Sequence, residues 1–109
     1  MNVTTKVEDL KKTCTDANGN FDKDRFRILI ALLQLTLHFD GADIKDYYSE
    51  INKQVFRFLG PGHSLASCVQ FMHGRKGRAT LNRVKDELFK DMSPALVNEI
   101  LRSILHGEN

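Results

Sequence analysis

Apolar residues recur along most of the chain with a helical period. Val3, Val7, Leu10 and Cys14 fall at i, i+4, i+7 and i+11, one stripe of a short first helix that Thr4 or Thr5 can cap. Ala17-Asn18-Gly19-Asn20 breaks the pattern with turn-forming residues. The next segment, 22–39, opens on Asp22 as an N-cap and carries two stripes. Phe26, Leu29, Ile30, Leu33 and Leu37 form one, and Ile28, Leu32, Leu35 and Phe39 form a second, nearly opposite. A helix apolar on two sides is either central in a bundle or shared with a partner. Leu33, Leu35, Leu37 and Phe39 also alternate as a strand would, but a long leucine-rich run poor in β-branched residues favours helix.

Beyond Gly41 the helical period returns. Asp43 can cap a third helix on which Ile44, Tyr47, Tyr48, Ile51, Val55, Phe58 and Leu59 share a stripe, and Gly60-Pro61-Gly62 stops it. A short fourth helix runs from His63 or Ser64 to about Met72, with Leu65, Cys68, Val69 and Met72 inward. His73-Gly74-Arg75-Lys76-Gly77-Arg78 reads as a loop, after which Thr80 can cap a fifth helix with Leu81, Val84 and Leu88 inside. Ser93-Pro94 starts a sixth, with Ser at the N-cap and Pro at the first helical position. Its inner side is Leu96, Val97, Ile100, Leu101, Ile104 and Leu105, and Gly107 ends it. The pattern predicts an all-α bundle of about six helices joined by short loops, with no strand.

Length limits what this bundle can be. The chain has 109 residues, room for a single helical domain over 1–109 and too few for an α/β barrel or a two-domain dinucleotide enzyme. The uncharged apolar run Ile28 to Phe39 is too short to span a bilayer as a helix, so no membrane is expected. The N-terminus lacks the apolar core of a signal peptide, and Cys14 and Cys68 stand in no paired spacing. Free thiols in a reducing compartment, cytoplasmic or nuclear, are the expectation, and the Asn2-Val3-Thr4 sequon is then inert.

Candidate chemistry is sparse. Gly62-His63-Ser64-Leu65-Ala66 starts like a nucleophile elbow but lacks the last glycine and follows a helix instead of a strand, so Ser64 reads as a helix cap. Asp16 to Asp22 resembles the start of a calcium loop, yet the sixth and twelfth positions hold Phe21 and Arg27 where glycine and glutamate are required. His38, His63, His73 and His106 have no ligand spacing, although Asp40 and Asp43 lie near His38 in sequence. Leu29-Ile30-Ala31-Leu32-Leu33 matches a groove-docking LxxLL and is assigned to the core. No catalytic set, cofactor site or metal site is predicted.

Two features remain. The net charge is only +2, but residues 75–85 hold Arg75, Lys76, Arg78, Arg83 and Lys85 with no acid. Glycine-flanked cations just before a helix start can hold phosphate, which makes a helical nucleic-acid-binding protein the alternative reading. Five phosphate contacts would give a log–log salt slope of about −4. No aromatics are interleaved there for base stacking, and a solvated loop explains the charges equally. The second feature is a surplus of apolar helix faces: Phe56 and Phe71 lie off their own stripes and join Ile28, Leu32, Leu35 and Phe39. Exposed, such residues form a protein interface; buried, they make the second helix central. The leading expectation is a non-enzymatic protein–protein interaction domain that acts through a helix face or groove. Its partner is another protein or, as a homodimer, a second copy of itself.

Overall fold

A computed structural model describes residues 2–90 and 92–105, with the side chains of 103–105 excepted. Among the described residues six α-helices follow one another: α1 (Val3–Thr13), α2 (Lys23–Phe39), α3 (Tyr48–Leu59), α4 (Leu65–His73), α5 (Arg75–Phe89) and α6 (Pro94–Leu105). One 3-10 turn, Ile44–Asp46, precedes α3. The only extended pairing among the described residues is an isolated bridge between Thr15 and Phe21. The fold is therefore all-α, and its radius of gyration of 13.2 Å is that of one compact body of this length.

Helix α2 is central, which settles the meaning of its two apolar sides. It packs against α1, α4, α5 and α6, most extensively against α4. Phe26, Ile28, Ile30 and Leu37 on α2 are essentially fully buried, and so are Ile51, Leu65, Met72 and Ile100 from the surrounding helices. Each such side chain contributes roughly 1.5–3 kcal/mol by leaving water. Phe26 meets Phe21 and Phe58 edge-on at 5.4 and 5.9 Å, and the Lys11 ammonium lies 4.4 Å over Phe21.

Caps explain several boundaries, and three differ from expectation. The Asp22 carboxylate accepts from the Arg25 amide at the start of α2, as its sequence position predicts. Ser64 and Ser67 form a reciprocal capping box on α4. Helix α1 is capped by Asn2, whose side chain accepts from the Thr5 amide, and not by Thr4 or Thr5. Asp43 caps the 3-10 turn through the Lys45 amide, so the α-helical part of the third segment begins only at Tyr48. The largest difference is at α5. Residues 75–79 are helical, not a loop, and Thr80 is no cap: it is buried and its hydroxyl donates to the Lys76 carbonyl.

Gly77 accounts for that difference. A Cβ at this position would lie 1.8 Å from the Phe71 carbonyl oxygen. The missing side chain lets the first turn of α5 press directly onto the last turn of α4, so the chain needs only Gly74 to change direction. In α6, Ile100 is buried while Leu96, Val97 and Leu101 are only half-buried. The Ile104 and Leu105 side chains, His106 and the Gly107 stop lie outside the described residues.

Candidate functional site

The second stripe of α2 passes from core to surface along the helix. Ile28 and Leu32 are 0% and 2% exposed, Leu35 is half-buried and Phe39 is 45% exposed. Ile28 and Leu32 thus belong to the core and offer no interface, because the helices packed around α2 enclose them. The C-terminal half of α2 is left partly open, and there the stripe becomes the floor of a groove.

This groove has a volume of about 470 Å³. Helix α2 supplies Gln34, Leu35, His38 and Phe39, and Ile44 and Tyr48 come from the turn and the start of α3. Helix α4 contributes Ala66, Val69, Met72 and His73, and α6 contributes Leu96, Glu99 and Ile100. Helical spacing explains the double use of α4: Leu65 and Cys68 turn into the core, Ala66, Val69 and His73 turn to the groove, and Met72 is buried where the two meet. The lining is mostly apolar, with polar groups set among it, as in sites that take apolar ligands or side chains. Glu99 is engaged by Arg102 at 3.0 Å. His73 is half-buried, and its Nδ1 is shielded from solvent with no hydrogen-bond partner.

The nearest nucleophile is not activated. Cys68 faces the core, and burial pushes its thiol up to about 11, opposed only in part by the Arg27 guanidinium. Cys14 is pushed up to about 11 by the same loss of solvation. Asp16, in the calcium-like turn, spends its carboxylate on the Asn18 and Asn20 amides and the Asn20 side chain, an Asx turn that holds its acid below the usual range. Among the described residues no three His, Cys, Asp or Glu side chains are grouped to hold a metal, and no helix is long and apolar enough to cross a membrane.

The other sequence candidates are scattered. Phe56 is 56% exposed on α3 and Phe71 is half-buried beneath the Arg27 guanidinium, 3.6 Å from its ring. The five cations are all exposed on α5. Lys76 and Arg83 reach back to Asp24 and Asp22 at 3.5 and 3.4 Å, while Arg25 of α2 forks onto Glu87 of α5. Arg75, Arg78 and Lys85 are exposed, and Arg78 has a partner of its own. The basic run thus serves in part to dock α5 onto the acidic start of α2.

Of the expected interface residues, only Leu35 and Phe39 line the groove. Ile44, Tyr48, Val69 and Leu96 looked like inner positions of their own helices. Only the surplus stripe on α2 signalled that some apolar surface would stay open. Comparison with protein-family models, curated proteins and solved structures gives no match, so the groove itself carries the functional reading.

Proposed function

We propose that this chain is a non-enzymatic helical interaction domain whose groove receives the apolar face of an amphipathic helix from a protein partner. One observation carries the reading: a 470 Å³ opening bounded by helices, floored by Leu35, Val69 and Met72 and edged by the exposed rings of Phe39 and Tyr48. Helix-in-groove recognition needs such a trough, with room for one or two large side chains spaced a turn apart. Exposed aromatics at the edge supply anchor area at small entropic cost. The nucleic-acid alternative draws less support, since Lys76 and Arg83 each stand against a carboxylate at the start of α2.

A displayed library of helical peptides, selected on the chain and mapped by amide chemical shifts, tests this. Selected peptides should share large apolar residues at i, i+4 and i+7 and shift the amides of Leu35, Phe39, Val69 and Leu96. Phe39→Asp should weaken them at least about tenfold. Peptides that shift α5 or α1 instead, or a library that yields none, would refute the groove reading.

A further inference from the structure

The two ends of the groove differ in charge. One end is lined by Phe39, Ile44 and Tyr48. The stretch that joins Phe39 to the start of α3 carries Asp40, Asp43 and Asp46 against the single ammonium of Lys45, and all four side chains are exposed. Asp22, Asp24 and Glu99 each face a cation, but among the described residues none of these three carboxylates does. The last turn of α2 adds no Lys or Arg. The negative end of the α2 dipole and the positive end of the α3 dipole both fall here and offset each other, so the carboxylates leave this end net negative.

The other end is not acidic. Lys76 reaches Asp24 at 3.5 Å and the Arg27 guanidinium lies 3.6 Å over Phe71, which holds the last turn of α4 beside the first turns of α2. Phe39 is twelve residues beyond Arg27, about 18 Å by helical rise. His73 therefore lines the far end, and exposed Arg75 follows it by two residues. On the α6 wall Glu99 is neutralised by Arg102 at 3.0 Å.

We infer that the helix received by this groove is basic at one end of its apolar face, with Lys or Arg beside the anchor that seats between Phe39 and Tyr48. This rests on the groove reading above and names the chemistry of its partner. Direct ion pairs are not required. Charges are screened over about 8 Å at physiological salt, and each of the three carboxylates stands within two residues of a lining residue. A helix with glutamates at that end meets like charge as its apolar face excludes water, which lowers both its rate of encounter and its affinity. The apolar floor supplies binding; the acidic end selects among partners and sets which way the bound helix runs.

Helices selected on the chain should carry Lys or Arg next to one terminal anchor. Replacing those cations by Glu should weaken binding at least about tenfold in low salt, and the difference should shrink near 1 M salt. Asp40→Lys with Asp46→Lys should reverse the preference, while Arg75→Gln, at the far end, should leave it in place. All three positions are exposed, and Asp43 is kept because it caps the 3-10 turn, so the unfolding transition should stay. Selected helices without basic residues, a Glu form that binds as well as the Lys form, or a preference that the reversal does not move overturns the inference. Where such helices still shift the Leu35 and Val69 amides, the groove reading survives that result. A library that yields no helix removes the groove reading, and this inference with it. Self-association on sedimentation that shifts the same amides would assign the groove to a second copy and overturn the inference as well.

Discussion

Gly77 and the two cysteines show how single side chains set limits on this fold. At Gly77 the approach of α5 to the Phe71 carbonyl leaves no space for even a methyl group. Gly77→Ala is expected to cost about 2 kcal/mol or more, despite alanine's better helix propensity, because backbone and not a flexible side chain must move. Urea unfolding would measure it, and a neutral or stabilising result would mean that the α4–α5 corner is looser than it is here. The thiols make a pH prediction. Cys14 and Cys68 keep their protons in the folded state to about 11, whereas the unfolded chain releases them near the ordinary value of 9.0. Their contribution to stability is then complete below 9.0 and falls as pH rises through about 11. Urea midpoints across this range should drop more steeply for the native chain than for Cys14→Ala with Cys68→Ala.

At the scale of elements, α2 is held by two different kinds of contact. Its middle is fixed by burial: Leu32→Ala should cost about 2–5 kcal/mol, since the side chain is 2% exposed within the core. Its N-terminus is tied to α5 by Lys76–Asp24, Arg83–Asp22 and Arg25–Glu87. Most of these groups are substantially exposed, so Lys76→Ala and Arg83→Ala should each cost under about 1 kcal/mol. Thermal unfolding in low and high salt would check this, with the native chain losing more on salt addition than the double variant. The α3–α4 turn depends instead on neutral hydrogen bonds. Asn52 accepts from the Leu65 amide at 2.8 Å, and Ser64 and Ser67 cap each other. Ser64→Ala should therefore cost about 1 kcal/mol in any salt.

For the whole molecule, the open site is the gap that the surrounding elements leave around the C-terminal end of α2. Helix α4 runs alongside the C-terminal end of α2, with its Ala66 and Val69 lining one groove with Leu35, His38 and Phe39. The groove between that end, α3, α4 and α6 is where apolar surface is left over. Because Phe39 is 45% exposed and ends α2, Phe39→Asp should cost no more than about 2 kcal/mol of stability while removing helix binding. Fluorescence anisotropy with duplex RNA or DNA at low salt should show no tight binding. A steep salt slope lost with Arg75, Lys76 and Arg78 would reverse that ranking of partners.

Helix content, the caps at Asp22, Ser64 and Ser93, and the glycine stop at Gly60 are local properties, set by spacing and by orphan amides within a turn of their partners. They were readable from the residues alone. So was the surplus of apolar surface on α2, through its second stripe. Which part of that stripe is covered was not readable: Ile28 and Phe39 share a spacing pattern, and only the packing of the other helices around α2 separates a core residue from a groove residue. The 73–78 segment failed for a similar reason. Glycine and cations read locally as loop, whereas the tight approach of α5 to α4, a contact between elements, requires Gly77 inside a helix. The basic run likewise took its role from Asp22 and Asp24, some fifty to sixty residues away, which spacing within α5 cannot reveal. Local pattern determined the helices; packing between elements distant in sequence decided what they leave open, because burial depends on neighbours that spacing within one helix does not specify.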